Sequence, residues 1–154
     1  FEWQFSVAAI LALAHDIFST IGLFALTNFE FNLATVAAIL TIAGYSINDT
    51  VVVFDRLREN LRRYKSYEIT DIINKSLNET LSRTVMTSVT TLLALGAIAI
   101  FGGAVLRDFA LAMIWGVVIG TYSSIFVAVG FLSRFDIRHH EPDDGIVVSE
   151  TERS

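Results

Sequence analysis

Four long apolar runs separated by polar breaks set the pattern of this chain. They cover about 5–27, 33–54, 84–101 and 109–132. Each is close to the roughly 20 residues that an α-helix needs to cross a bilayer. Each is also apolar on every side rather than along one stripe. Small and hydroxyl residues recur inside the runs (Gly44, Gly96, Gly116, Gly120, Thr87, Ser88, Thr90, Thr91), which suits close helix contact in lipid. The pattern predicts an all-α membrane protein built as a four-helix transmembrane bundle, 1–136. Between the second and third runs, Tyr67, Ile69, Ile72, Ile73, Leu77 and Leu81 recur at helical spacing, with Glu68, Asp71, Asn74, Lys75 and Asn78 on the other positions. This predicts a short amphipathic helix over about 66–81, N-capped by Ser66. It would lie along the cytoplasmic membrane surface or pack on the soluble domain of a partner. After Ile137 the chain becomes polar and acidic, and 137–154 reads as a disordered tail.

Composition strengthens the membrane reading. The chain is 53% hydrophobic and 18% charged, more apolar than a soluble domain of this length usually is. A single Pro and no Cys exclude Pro-rich, disulfide-framed and Cys-ligated zinc architectures. The formal net charge of -5 matters less than where the charges lie. Arg56, Arg58, Arg62, Arg63, Lys65, Lys75 and Arg83 fall between the second and third runs, whereas 28–32 has no Lys or Arg and 102–108 has only Arg107. Positive loops stay in the cytoplasm, so both ends of the chain are expected there, with 28–32 and 102–108 on the opposite side. Gly102-Gly103 reads as the break ending the third span on that side. The chain opens on Phe1-Glu2-Trp3-Gln4, from which no targeting signal can be read.

The chemistry lies in polar residues where lipid-embedded helices should have none. Asn48 and Asp49 sit inside the second run, with Asp49 about 6 residues, or roughly 9 Å, from its charged end. Ionisable groups at such depth commonly mark ion or proton pathways. Desolvation and a nearby cation act in opposite directions on a carboxyl group, so an acid that gains and loses a cation is a proton-coupled switch. Arg83 opens the third run from the same side and is the candidate cation; its other reading is a positive-inside anchor that snorkels to the headgroups. Thr84, Thr87, Ser88 and Thr91 follow it as a polar helix face, read either as packing or as a wettable stripe leading inward. His15-Asp16, in the middle of the first run, reads as a polar membrane pair. It either handles protons or serves as a brace, with His15 bonded to a neighbouring helix and Asp16 neutral or paired. No further ligand accompanies it at metal spacing, and no Ser, Cys or metal partner suggests an intramembrane enzyme. The basic residues of 56–65 are interleaved with acids next to a membrane, which argues against nucleic acid.

The stretch GYSINDTVVVFDRLREN, 44–60, closely resembles the signature of the SecF family, membrane subunits of the bacterial SecDF protein-export complex within the RND superfamily. The resemblance continues through Phe1-Glu2-Trp3, Ala14-His15-Asp16, Leu81-Ser82-Arg83-Thr84, Phe101-Gly102-Gly103 and Gly120-Thr121-Tyr122-Ser123-Ser124. It runs to about Asp136 and concerns the family's C-terminal transmembrane half. The family's earlier helices and its periplasmic domain have no counterpart in this sequence. The resemblance implies a non-enzymatic subunit of the bacterial inner membrane that uses the proton-motive force to promote preprotein translocation. Asp49 falls on the family's motif Asp, and Arg83 on its functional Arg in the next helix. Both would face an essential Asp of SecD, and Asn48 would orient Asp49. The implied partners are SecD, the SecYEG translocon, YajC, the translocating preprotein and membrane lipid. No cofactor is implied; the proton is the coupling ion, with sodium as the alternative. The other reading is a non-catalytic scaffold that assembles SecD and SecYEG without handling protons.

Overall fold

A computed structural model describes residues 2–127, 130, 133 and 134. The expected tail, 137–154, lies outside the described residues, as do Asp136 and several residues at the end of the fourth run. Four helices account for nearly everything described: α1 (Glu2–Thr27), α2 (Leu33–Arg63), α3 (Ile69–Phe101) and α4 (Gly103–Tyr122), the last continuing into a π-helical turn, Ser123–Val127. All four are long and apolar enough to cross a membrane.

Local chemistry sets the boundaries. α1 stops where Asn28 takes a left-handed conformation at φ 53, a position Asn tolerates better than most residues. Asn32 then starts α2 with a capping box: its side chain accepts from the Thr35 N–H at 3.1 Å, and the Thr35 hydroxyl accepts from the Asn32 N–H at 3.4 Å. α2 ends at Tyr64, whose N–H bonds Asn60 O at 2.9 Å. Between α3 and α4 the chain reverses at Gly102-Gly103. A Cβ at Gly102 would stand 2.5 Å from Ile98 O, and Gly103 has φ +75, so both positions need glycine. The break expected there is real, but it is tighter than the sequence suggested. α4 begins at Gly103, and the expected connection 102–108 is mostly helix.

The amphipathic segment expected as a separate helix over 66–81 is the first part of α3, which runs unbroken through Ser82-Arg83 to Phe101. Its N-cap is Glu68, with no side-chain bond, rather than Ser66. Its apolar face packs into the bundle. Ile72 and Ile73 are buried with Val53, Phe54 and Leu57 of α2 and Phe5, Ala8 and Ala12 of α1. At about 1.5 Å per residue, the 31 residues of α2 and 33 of α3 span roughly 46 and 50 Å. The hydrocarbon core is only ~30 Å thick, so the charged ends of both helices project beyond it. There the Arg56 guanidinium reaches Glu59 and Glu79 at 2.6 Å each, and Asn60 donates to both Ser76 and Glu79 at 2.9 Å. The bonds from Asn60 and Arg56 hold the Glu79 carboxyl below the usual glutamate range.

α2 and α4 form the central pair, with α1 on one side and α3 on the other. Their approach is set by size: a Cβ at Gly116 would fall within 3.0 Å of three Ile42 side-chain carbons, and one at Gly120 would touch Ser46. The interior has two apolar clusters. One contains Phe5, Ala12, Val53, Leu57 and Ile72, and the other contains Phe24, Ile42, Leu95, Met113 and Val117. Between them every helix contributes polar side chains.

Candidate functional site

That polar layer comprises Asp16 and Thr20 of α1, Ser46, Asp49 and Thr50 of α2, Thr84 and Ser88 of α3, and Thr121, Ser123 and Ser124 at the end of α4. A buried hydroxyl without a partner costs about 1–3 kcal/mol. Thr20 and Thr121 avoid the cost by donating to the carbonyl one turn back, to Asp16 O at 2.8 Å and to Val117 O at 2.8 Å. The carboxylates organise what remains.

Asp49 is half-buried, and both its oxygens are occupied. Thr84 Oγ1 of α3 donates to Oδ1 at 3.1 Å, and Ser124 Oγ of the π-helical turn donates to Oδ2 at 2.7 Å. A further set of hydroxyls lies beside it, joined to Ser124 only through the Thr121 backbone carbonyl. Ser124 also reaches Thr121 O at 3.0 Å, Thr121 Oγ1 meets Ser88 Oγ at 2.7 Å, and Ser88 meets the Tyr45 hydroxyl at 3.2 Å. The π-helical turn makes this possible. Ser123 and Ser124 are neighbours yet both fully buried: Ser123 points to Ala12 O of α1 at 3.3 Å, and Ser124 points to Asp49 of α2. A π-turn shifts the helical register, a distortion that recurs at functional sites.

Asp16 is fully buried on the far side of α4 from α3. Its Oδ2 accepts from Ser46 Oγ, and its Oδ1 lies 3.2 Å from His15 Nδ1. The expected brace has His15 bonded to a neighbouring helix; in the structure Asp16 makes that bond instead, and among the described residues His15 hydrogen-bonds Asp16 alone.

The expected Asp49–Arg83 pair is not formed. Thr84 occupies the position facing Asp49, and one residue is a 100° rotation on a helix, so Arg83 is turned to the exposed side of α3. Asn48 is exposed by the same rotation on α2 and makes no hydrogen bond among the described residues, so it does not orient Asp49. The expected polar face divides as well. Thr84 and Ser88, four residues apart, are buried in the layer. Thr87 is exposed and Thr91 half-buried, and both bond their own helix carbonyls. Ser46, Thr121, Ser123 and Ser124 were not singled out as site residues from sequence. The signal for the last three was the run of small and hydroxyl residues at 120–124 inside an otherwise apolar segment, and for Ser46 its place one turn before Asp49. No group of three metal-ligating side chains occurs among the described residues.

Comparison with known proteins identifies the bundle. The family model for the C-terminal region of the protein export membrane proteins SecD and SecF matches residues 1–138. The chain belongs to this family. Among its relatives, the protein translocase subunit SecF of Rhodobacter capsulatus is 63% identical over 128 residues, covering 83% of this chain and 38% of that protein. The SecF subunit of Rickettsia rickettsii is 51% identical over 135 residues, covering 88% and 44%. The chain therefore spans about two-fifths of the length of the SecF proteins it matches. A crystal structure of SecDF in its super-membrane-facing form superposes with a TM-score of 0.83 at 52% identity, covering 86% of this chain and 18% of that one. A crystal structure of the translocon-associated SecDF of Thermus thermophilus gives 0.82, also at 52% identity. The four-helix arrangement is thus that of the SecF C-terminal transmembrane half.

Proposed function

We propose that this bundle is the proton-coupled membrane part of a SecF-type subunit that promotes preprotein translocation across the bacterial inner membrane, with both chain ends cytoplasmic. One observation carries the reading: the two oxygens of Asp49 are held by hydroxyls from two different elements, α3 and the π-helical turn of α4. An ionised carboxylate only accepts hydrogen bonds, whereas a protonated one must donate from one oxygen. Binding a proton therefore adds a donor on one oxygen and weakens the bond that Thr84 or Ser124 donates to it, which favours a rearrangement of that hydroxyl. Proton binding then changes how α2 sits against α3 and α4, a population shift of helix packing rather than a chemical transformation. Arg83, one residue before Thr84 and exposed, is the cation offered to the ionised form or to an acidic partner helix when α3 moves. The coupling ion is the proton, with sodium as the alternative. SecD is the partner that completes the site, and SecYEG, YajC and the preprotein are the wider assembly. The motion is delivered to a periplasmic domain.

Asp49→Asn and Arg83→Met in the complete SecDF complex test this. Export should lose its dependence on the proton-motive force while each variant still co-purifies with SecD. Unchanged proton-motive-force-dependent export in both would refute it. Lost export with lost co-purification would instead favour the scaffold reading.

A further inference from the structure

Asp16 has no part in the reading built on Asp49, yet it is the more deeply buried carboxyl. It is 0% exposed, in the same polar layer, between α1, α2 and the end of α4. A permanently ionised carboxylate at such a place is costly unless a cation or several donors surround it. Asp16 has one firm donor, Ser46 Oγ, and one contact whose character depends on protonation, His15 Nδ1 at 3.2 Å. On the other elements packed against α1, the titratable groups near this level are Asp49 and Tyr45 of α2 and Tyr122 of α4. Tyr45 is committed to Ser88, and Tyr122 is exposed. No Lys or Arg lies in this layer among the described residues. His15 itself is 41% exposed, so its ring touches the buried acid on one side and the outside of the bundle on the other.

We infer that His15-Asp16 is a second protonation site of the same machine, loaded through His15 and read out through Ser46 on α2. In the loading step the imidazolium Nδ1–H bond breaks and an Asp16 Oδ1–H bond forms, leaving neutral imidazole and a neutral carboxylic acid. His15 then takes a new proton from water or an acidic side chain that meets its exposed face in the complete SecDF complex. Two physical links tie this site to Asp49. Ser46, which donates to Asp16, lies three residues before Asp49 on the same turn of α2. Ser123 bonds Ala12 O, one turn before Asp16, while the adjacent Ser124 bonds Asp49. Close by on α2, the Thr50 hydroxyl is buried and has no hydrogen-bond partner among the described residues, a spare donor beside the turn joining the two carboxyls. Rearrangement at either carboxyl is therefore felt by the other through α2 and the π-helical turn.

The inference rests on the proton-coupled reading of the bundle, but its test reads Asp16 directly. The experiment is pH-titrated infrared difference spectroscopy of the complete SecDF complex in liposomes. In Asp49→Asn, a carboxylic-acid C=O band from Asp16 should still appear and disappear with pH; adding Asp16→Asn should abolish it. His15→Gln should change the pH profile of that band. Ser46→Ala, which keeps both acids, should move its frequency upward because a donor is lost, and this variant serves where Asp16→Asn does not assemble. The inference is overturned if neither Asp16→Asn nor Ser46→Ala alters any titrating carboxyl band. Failure of the Asp49 reading would instead appear as unchanged export in Asp49→Asn, whatever Asp16 does.

Discussion

Gly116→Ala adds one methyl group at the tightest point of the central helix pair. Its Cβ would stand within 3.0 Å of Ile42 Cγ1, Cδ1 and Cγ2, 2.8 Å in the last case. Carbon atoms prefer separations of about 3.5–4.0 Å, and Ile42 is 1% exposed, clustered with Phe24, Leu95, Met113 and Val117. Overpacking of this kind costs about 1–3 kcal/mol, a factor of roughly 5 to 150 in the folding equilibrium. Gly96 and Gly44 provide internal controls, because a Cβ at either meets nothing within 4 Å. Alanine there should be neutral or stabilising by up to about 1 kcal/mol through helix propensity. The assay is reversible unfolding of the bundle in detergent with Gly116→Ala, Gly96→Ala, Gly44→Ala and the pair Gly116→Ala/Ile42→Ala. Truncating Ile42 alone should cost about 2–5 kcal/mol. In the pair the two costs should fall short of additivity by at least ~1 kcal/mol, because the added methyl group fills the space left. Gly116→Ala no worse than Gly96→Ala, or strict additivity in the pair, would refute the proposed seating of α4 on α2.

Removing the donors to Asp49, by Ser124→Ala or Thr84→Val, should weaken the coupling of export to the proton-motive force with co-purification of SecD retained. Thr87→Val, which removes a hydroxyl bonded only to its own helix, should have little effect in the same export assay. The junction of α2 and α3 should be sensitive to acid. The Glu79 carboxyl is held below its usual range by Asn60 and Arg56, so its contribution is fully present above the unfolded pKa of about 4.3 and is lost as pH falls through the lower folded value. Melting temperature followed from pH 6 downward should therefore fall less steeply in Glu79→Gln than in the unaltered chain; parallel curves would show that Glu79 does not stabilise the junction.

The four spans were legible because a run that is apolar on every side over the length of a helix suits lipid and suits little else. Asp49 was legible because an acid flanked by apolar turns is conspicuous. What the sequence could not show was which way neighbouring side chains point. Asp49, Asn48, Arg83 and Thr84 were grouped by depth, but depth along a helix leaves rotation open. A 100° step separates Asp49 from the exposed Asn48 and Thr84 from the exposed Arg83. The helix boundary at 81–84 was misplaced for a related reason. The change from an amphipathic to a uniformly apolar pattern marks a change in surroundings, from packing on α2 beyond the membrane to lying within it, and the backbone continues unbroken. Ser124 was read from sequence only as part of the family resemblance, because a π-helical turn, which aims it at Asp49, has no sequence signature of its own.

The central claim is that Asp49 carries the proton whose binding moves α2 against α3 and α4. Proton flux into energised proteoliposomes containing the complete SecDF complex tests it most directly. Asp49→Asn should abolish the flux while the complex remains assembled. Flux equal to that of the unaltered complex would contradict the claim.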